Sequence, residues 1–382
     1  MPRTARGEPP EFGRSPAALA PAVRSGRREG VARRSAGNRH DVRLRTSDPE
    51  RPGWRRIRHG RGFRYVDEMG RPLSPADRER VRALVIPPAW RDVWICPWPN
   101  GHLQAVGTDD AGRRQYLYHQ EYRARRERAK HAHVREVAAA LPRLRQAVEE
   151  DLAGRGLCRE RVLACAARLL DLGFLRVGGD RYQRDNDSYG LTTLRREHVR
   201  CARGRVVFDF TGKAGRRITF EAADDSVLRV VRALLRRRGG ERLFAYWQGR
   251  AWHDVRAGEL NAYLRDRSGV DMSAKDFRTW HATVLAAVAL AVSEPAARDS
   301  VTARRRAVRR AVGEVADYLG NTPAVCRSSY IAPRVIERYA DGETVAPALG
   351  RLGEDAASGS PATHGAIERA VLDLLDEDEP VR

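Results

Sequence analysis

The spacing of the apolar residues changes near residue 129 and divides the chain into two regions. Residues 54–128 contain short stretches with strand-like alternation, broken by Gly, Pro and Asn, such as RRIRHGRGFRYV and GHLQAVGTDDAGRRQYLYH. From about 129 to 200 the apolar residues recur every three or four positions, as in VREVAAALPRLRQAV. A period of two is typical of strands and a period near 3.6 of helices. The sequence predicts an α+β protein with a small β-rich N-terminal domain and a larger, mainly α-helical domain.

Composition extends this division to the two ends of the chain. We expect a disordered basic arm at 1–53, because Pro, Gly, Ala, Ser and Arg dominate there without an apolar period. The β-rich domain then covers 54–128 and the helical domain 129–342. A polar linker and a short acidic amphipathic tail fill 343–382.

Two local patterns predict specific structures. Ser74, Pro75 and Asp77 indicate the start of a helix, because Ser caps helices, Pro fits the first position and Asp suits the positive end. Residues 208–217 read FDFTGKAGRR, in which two alternating segments flank glycines that tolerate turn geometry. We predict a β-hairpin with Lys213 at its tip.

The chain is strongly basic, with a net charge of +21 and an isoelectric point of about 10.7. Of its 71 lysine and arginine residues only three are lysine: Lys130, Lys213 and Lys275. Such a charge favours a polyanionic partner, above all nucleic acid, because each neutralised phosphate releases counterions.

Other features narrow the setting in which the protein acts. The longest apolar run, VLAAVALAV at 284–292, is shorter than the roughly 18–20 residues of a membrane span, so no membrane role is expected. No secretory signal is visible, and the five cysteines are scattered without metal-binding spacing. We expect reduced thiols and a cytoplasmic protein.

Nucleotide and metal motifs are missing from the sequence. It has neither a GxxxxGK[ST] loop nor an HExxH pair, and Asp224-Asp225 opens a predicted helix, where solvated carboxylates are common. We therefore expect no cofactor, nucleotide or metal ion. A reaction at a phosphodiester would then need a nucleophile from the protein, assisted by cationic side chains.

Three segments carry such groups, and together they resemble the type IB DNA topoisomerases, specifically the small bacterial, poxvirus-like branch. They are GFLRVGGDRYQ, FDFTGKAG, and the region running from KDFRTWHAT to LGNTPAVCRSSYIAP. The resemblance spans about 54–340. It implies the DNA breaking-rejoining, tyrosine recombinase-like fold and ATP-independent relaxation of supercoiled duplex DNA, performed by a monomer that clamps DNA in the bacterial nucleoid.

The resemblance also implies five catalytic roles. Tyr330 matches the nucleophile that forms a 3′-phosphotyrosyl bond, and Arg176 and Arg278 match the pair that grips the non-bridging phosphate oxygens. Asn321 matches a further donor to the phosphate, where some relatives carry His. Lys213 matches the general acid that protonates the leaving 5′ oxygen. The chemistry agrees, because a guanidinium fork suits two phosphate oxygens and lysine releases a proton more easily than arginine.

Further residues match DNA contacts of the family. They lie on the strand GRRQYLYH and in the catalytic region, and comprise Arg113, Arg114, Gln115, Tyr116, Tyr118, Tyr182 and Lys275. Packing against the sheet is the alternative for Tyr116 and Tyr118, which share one face of a strand. We interpret His281, one turn beyond Arg278, as structural.

Two other functions remain open from the sequence. A tyrosine recombinase has nearly the same catalytic groups, but usually shows HxxR where this chain has Lys275-Asp276-Phe277-Arg278, and a helical domain normally precedes its catalytic domain. A non-catalytic basic DNA-binding protein would explain the charge but not the five-residue set. Ala214 and Ser329 depart from the family pattern, in which Ser and Lys are common at these positions, without removing a catalytic group.

Overall fold

The computed structural model describes residues 43–180, 183–184, 187–297, 300–352 and 361–376. Tyr182, one of the expected DNA contacts, lies outside these ranges. The chain forms two compact units, which divide between Leu117 and Tyr118. This division precedes the domain boundary that the apolar period places at 128.

The first unit is built on a five-stranded sheet with the strand order β2-β1-β3-β4-β5. Its elements are β1 (Trp54–His59), β2 (Gly62–Val66), α1 (Pro75–Ala83), β3 (Arg91–Ile95), β4 (Leu103–Thr108) and β5 (Arg114–Tyr118). The predicted start of α1 is confirmed, since the Ser74 hydroxyl accepts a 3.1 Å hydrogen bond from the Asp77 amide and Pro75 is the first helical residue. Ile95 and Ala105, on β3 and β4, are buried in a small core with α1.

Part of the segment expected as an arm pairs with this unit. Arg45 forms a parallel bridge with Gly101, and Ser47 is buried. The Ser47 hydroxyl donates a 2.9 Å hydrogen bond to the Leu103 carbonyl. Residues 1–42 of the expected arm lie outside the described ranges.

The second unit contains nine of the described helices. They are α2 (Gln120–Ala153), α3 (Arg159–Leu172), α4 (Asp225–Arg236), α5 (Ala257–Ser268), α6 (Ala274–Ala297), α7 (Val301–Leu319), α8 (Pro323–Ser329), α9 (Pro333–Asp341) and α10 (Ala366–Asp376). Helix α2 begins at Gln120, ahead of the helical start expected near 129. Its first turns lack an apolar period and are held by ion pairs from Glu121 to Arg125 and Arg128, at 3.4 and 2.8 Å.

Two small antiparallel sheets accompany these helices. Strands β6 (Val199–Ala202), β7 (Arg205–Thr211) and β8 (Arg217–Ala222) form one, and β9 (Ala245–Gln248) pairs with β10 (Ala251–Asp254) in the other. The predicted hairpin is confirmed as β7–β8. Its turn at Lys213–Gly215 has positive φ at Ala214 and Gly215, which accounts for the glycine.

The core of this unit lies between α2, α3, α6 and the β7–β8 hairpin, and it includes the fully buried Phe208, Phe277 and Trp280. Helix α3 ends at Leu172. Gly173 is required there because a Cβ would lie 2.8 Å from the Phe220 ring. No helix in the described parts of the chain is long and apolar enough to cross a membrane. The expected fold class, a small β-rich domain before a larger helical one, is confirmed.

Candidate active site around Tyr330

The site is organised by the junction between helices α7 and α8. Helix α7 ends at Leu319. Gly320 follows it with a left-handed φ of 60° that turns the chain, and the Asn321 amide donates a 2.9 Å hydrogen bond to the Ala316 carbonyl. Thr322 caps α8 by accepting a hydrogen bond from the Val325 amide, and Pro323 is its first residue. Thr is a common helix cap, and Pro fits the first position of a helix. The junction presents the last carbonyl groups of α7 and the side chain of Asn321 side by side.

Two arginines bind these carbonyl groups. Arg176 donates from Nη1 to the Leu319 carbonyl and from Nη2 to the Gly320 carbonyl, both at 3.2 Å. Arg278 donates from Nη2 to the same Leu319 carbonyl at 2.8 Å and from Nη1 to the Phe174 carbonyl. The carbonyls at a helix C-terminus lack intrahelical partners and carry partial negative charge, so they suit guanidinium groups. The end of α7 thereby brings the two predicted phosphate-binding arginines together.

Close backbone packing fixes the segment that carries Arg176. The Arg176 carbonyl accepts a 2.8 Å hydrogen bond from the Leu191 amide, and the Val177 carbonyl accepts one from Thr192 at 2.8 Å. A Cβ on Gly190 would lie 2.5 Å from the backbone of Gly178, so this approach requires glycine. Hydrogen bonds of both the backbone and the side chain therefore fix the position of Arg176.

Two buried nitrogen donors of the site have no hydrogen-bond partner among the described residues. The Oδ1 atom of Asn321 accepts a 2.6 Å hydrogen bond from Arg176 Nη2, whereas its Nδ2 atom is buried and unpaired. The Nε atom of Arg278 is also buried and has no partner in the described ranges, and Arg278 is only 4% exposed. An unsatisfied buried donor costs about 1–3 kcal/mol. Each of these two nitrogens therefore retains an unused donor.

Tyr330 lies directly beside this arginine pair. It follows the last residue of α8, and its ring centroid is 5.3 Å from Cζ of Arg278 and 6.0 Å from Nζ of Lys275. Burial and the charge of Arg176 lower the pKa of Arg278 to about 10, although Tyr330 opposes the shift. Arg278 therefore remains charged at neutral pH. Lys275, expected as a DNA contact, lies next to the predicted nucleophile.

Lys213 occupies a different position from the other four predicted catalytic residues. It is exposed on the tip of the β7–β8 hairpin and lines a cleft of about 710 Å³ together with Arg176 and residues 317–320. The structure therefore brings Arg176, Arg278, Asn321 and Tyr330 into mutual proximity. Lys213 lies on the wall of the adjoining cleft, which Arg176 also lines.

The sequence did not indicate two side chains that hold the Tyr330 segment. Lys130 of α2 donates from Nζ to the Ser328 carbonyl at 3.3 Å, and Thr283 of α6 contacts the Tyr330 carbonyl at 3.3 Å. Burial and the nearby charge of Lys275 lower the pKa of Lys130. The rarity of lysine was the available signal for Lys130. Thr283 offered none, because a threonine within a helix is common.

Of the expected DNA contacts at or beside β5, Arg113, Arg114, Gln115 and Tyr116 lie on the first unit, and Tyr118 is the first residue of the second. Asp109 accepts hydrogen bonds from Arg113 Nε and Gln115 Nε2, each at 2.9 Å, and Arg114 pairs with Glu50 at 3.1 Å. Tyr116 is 44% exposed and Tyr118 stacks on Tyr122 with ring centroids 5.2 Å apart. Leu117 points into the sheet core between the two tyrosines.

Two residues that the sequence assigned to structure have structural contacts. Asp224 caps α4 by accepting a 2.9 Å hydrogen bond from the Val227 amide, and it pairs with Arg168 at 2.9 Å. His281 is buried, with its ring against Phe174 and Phe277.

Comparison with known proteins decides the family. The profile described as eukaryotic DNA topoisomerase I, catalytic core, matches residues 119–345, which is more than half of the chain. The chain belongs to the type IB DNA topoisomerases. The profile of the bacterial DNA topoisomerase IB N-terminal domain matches residues 62–109 of the first unit.

Viral type IB topoisomerases are among its relatives. DNA topoisomerase 1B of Acanthamoeba polyphaga mimivirus is 30% identical over 282 residues, covering 72% of this chain and 83% of the viral protein. DNA topoisomerase 1 of Rabbit fibroma virus (strain Kasza) is 22% identical over 61% of this chain and 70% of its own length. DNA topoisomerase 1B of Vaccinia virus (strain Copenhagen) is 26% identical over 28% of this chain and 34% of its own. These matches confirm the resemblance found in the sequence.

Family membership fixes the substrate and the overall reaction. This type IB topoisomerase acts on duplex DNA and relaxes it. The recombinase and the non-catalytic DNA-binding protein are not favoured by any of these matches.

Proposed function

We propose that this enzyme relaxes supercoiled duplex DNA through a transient covalent bond between Tyr330 and a 3′ phosphate of one strand. The observation that carries the proposal is the pair of unsatisfied donors, Asn321 Nδ2 and Arg278 Nε, in the same site as the Tyr330 ring. Unsatisfied buried groups in a native structure call for an explanation. A phosphodiester bound next to Tyr330 would supply the missing acceptor oxygens.

The cleavage step is a transesterification. The Tyr330 phenolic oxygen attacks the phosphorus and loses its proton to solvent, while the bond from phosphorus to the 5′ oxygen breaks. The products are a 3′-phosphotyrosyl strand end and a free 5′-hydroxyl. One phosphoester bond replaces another, so religation by the 5′-hydroxyl needs no external energy. For this reason we propose that the reaction uses neither ATP nor a metal ion.

Arg176, Arg278 and Asn321 stabilise the charge that develops on the non-bridging oxygens. The end of α7 holds both guanidinium groups before DNA binds, and donors arranged in advance need little reorganisation during the reaction. Removing one donor of this kind typically costs about 10²–10³ in rate. The buried position of Arg278 strengthens its attraction to the phosphate, because charges interact more strongly in a low dielectric than in water.

Lys213 protonates the leaving 5′ oxygen. An ammonium group can give up a proton at a much lower cost than a guanidinium, whose pKa exceeds about 12 in water. Its exposed place on a glycine-containing turn, on the wall of the cleft that Arg176 also lines, supports a role in which the lysine reaches the phosphate of bound DNA.

Between cleavage and religation the broken strand rotates about the intact one, driven by supercoil strain. We propose that the protein acts as a monomer in the bacterial cytoplasm at the nucleoid. The basic charge and the family's duplex DNA substrate support the location. Residues Arg113, Arg114, Gln115, Tyr116, Tyr118, Tyr182 and Lys275 are proposed to contact the DNA.

The test is relaxation of a supercoiled plasmid in EDTA without ATP by the wild type and by Tyr330→Phe. The wild type is expected to remove the supercoils and the Phe variant to leave them, since it lacks the nucleophilic oxygen. Tyr339→Phe is a matched control, because Tyr339 is buried on α9 and its hydroxyl has no hydrogen-bond partner among the described residues. Failure of the wild type under these conditions, or relaxation by Tyr330→Phe, would contradict the proposal.

A further inference from the structure

Helix α10, near the end of the chain, packs into the core of the second unit. Its apolar residues Ile367, Val371 and Leu374 are buried there, and the helix contacts α2, α6 and α9. The matched topoisomerase catalytic core ends at residue 345, so α10 lies beyond it. The helix is nevertheless part of the same core as the elements that carry the arginine pair.

One carboxylate of this helix is bound at the back of α6. Glu368 is buried and accepts a 2.8 Å hydrogen bond from Nε1 of Trp280. Trp280 is two residues after Arg278, and residues two apart on a helix lie on nearly opposite faces. Glu368 therefore holds the rear of the helix whose front presents Arg278 to Tyr330.

The same carboxylate is connected to the end of α3. Arg145 of α2 donates to Glu368 from Nη1 at 2.6 Å and from Nη2 at 2.9 Å, and it pairs with Asp171 through two 2.9 Å hydrogen bonds. Asp171 is the penultimate residue of α3, five positions before Arg176. The network thus reaches both segments that lead to the arginines.

Arg145 is the central cation of this buried cluster, and Arg168 also lies 3.6 Å from Asp171. Burial by itself would raise the pKa of Asp171 and of Glu368, but the bonds and charge of Arg145 outweigh it and lower both. His364 and His281 complete the cluster, with His364 Nε2 3.2 Å from Arg145 Nη2 and His281 Nε2 3.7 Å from Asp171. Neutralising one member of such a network leaves a buried charge without its partner.

We propose that Glu368 is a positioning residue for the phosphate-binding arginines, acting through Trp280 on Arg278 and through Arg145 and Asp171 on Arg176. This inference rests on the proposed function, since it concerns the charge that the arginines stabilise in the transition state. A displacement of about 1 Å in a catalytic group can reduce a rate by about 10²-fold. Loss of the Glu368 charge should therefore slow the chemistry while leaving DNA binding nearly intact.

The experiment measures single-turnover cleavage of a DNA duplex at saturating enzyme by the full chain. Glu368→Gln is expected to lower the cleavage rate at least about 10-fold, with a DNA Kd within about 3-fold of wild type because Glu368 is buried away from any ligand. Asp373→Asn is the matched control. It removes one carboxylate from an exposed position of the same helix and should cleave at the wild-type rate.

A second substrate separates positioning from general damage. A methylphosphonate at the cleavage site replaces one non-bridging oxygen with a neutral methyl group and so removes the charge that the arginines stabilise. The deficit of Glu368→Gln is expected to shrink on this substrate. An equal deficit on both linkages would overturn the proposal, as would wild-type cleavage of the phosphodiester by Glu368→Gln.

If Glu368→Gln does not fold, Trp280→Phe decides, because it removes the Nε1 donor and keeps an aromatic ring at the buried position. A loss of cleavage rate in Trp280→Phe that shrinks on the methylphosphonate substrate supports the proposal, even where it is smaller than the loss expected for Glu368→Gln. Wild-type kinetics of Trp280→Phe in that case would overturn it. Failure of the wild type to cleave would instead contradict the proposed function, so the two failures are distinguishable.

Discussion

Arg176 and Asn321 are joined by a 2.6 Å hydrogen bond from Nη2 of the arginine to Oδ1 of the amide, across 145 positions of sequence. The bond fixes the orientation of the amide, so that its Nδ2 atom is a buried donor with no partner in the described ranges of the chain. Arg176 thus has two effects, one as a cation and one in aiming the Asn321 donor.

This geometry predicts that Asn321→Asp is a poor enzyme although it keeps the acceptor for Arg176. The substitution replaces the donor by an oxygen and adds a negative charge beside the phosphate. Single-turnover cleavage is expected to fall at least about 10²-fold, the usual effect of losing one oxyanion donor. Asn321→His should retain more activity, because an imidazole N–H can donate. Equal rates for Asn321→Asp and the wild type would show that the amide does not donate.

Arg278→Lys is expected to impair both stability and cleavage. The guanidinium binds the carbonyls of Phe174 and Leu319 at once, and an ammonium group lacks the fork that satisfies both. Loss of one buried hydrogen bond costs about 1–3 kcal/mol in the free energy of unfolding. Denaturant unfolding would measure this cost, with the exposed Arg305→Lys as the control that should change nothing. Equal unfolding curves for both variants would contradict the carbonyl contacts.

Much of this site follows from local sequence patterns, and the remainder does not. The Thr322 cap, Pro323 and the hairpin that carries Lys213 follow from residues adjacent in sequence, whose steric rules are short-range. The contact from Arg145 to Glu368 joins residues 223 positions apart, and no period in the sequence announces such a pair. The apolar pattern also did not predict the early start of α2. Charged residues give no apolar period, even where ion pairs stabilise a helix.

The role of Lys213 predicts a substrate-dependent rescue. Lys213→Ala should cleave a normal duplex very slowly, yet recover on a duplex with a 5′-bridging sulfur, because a thiolate leaves with little need for protonation. Lys213→Arg should behave in the same way, since arginine keeps the charge but not the acidity. Single-turnover cleavage of both substrates measures the effect. A deficit that persists on the sulfur substrate would mean that Lys213 is not the acid.

The buried cluster behind the arginines predicts a specific pH dependence of stability. Burial lowers the pKa of His364 from about 6.5 to about 4, against the opposing charges of Asp171 and Glu368 and with the support of Arg145 and His281. Between these values the unfolded chain binds a proton that the folded protein does not, so stability falls as the pH falls below about 6.5. From pH 7 to pH 5 this single group should cost about 2 kcal/mol in the free energy of unfolding.

His364→Gln should remove this part of the acid sensitivity. Denaturant unfolding at both pH values provides the comparison, and the exposed His253→Gln is the control expected to behave like the wild type. Asp171 and Glu368 affect stability at lower pH than His364 does. Their pKa values are lowered, so the stability that they provide is lost only as the pH falls through those values. An identical loss of stability in His364→Gln and the wild type would contradict the assignment.

The proposed reaction depends on a covalent bond between Tyr330 and a 3′ DNA end. Its most direct test uses a duplex whose cleavage releases a short 5′-hydroxyl fragment by dissociation, so that religation is prevented and the adduct accumulates. Proteolysis and mass spectrometry should then find a 3′-phosphonucleotide on the peptide that contains Tyr330, and no adduct with Tyr330→Phe. An adduct on another residue, or on the 5′ end of the cut strand, would contradict the account.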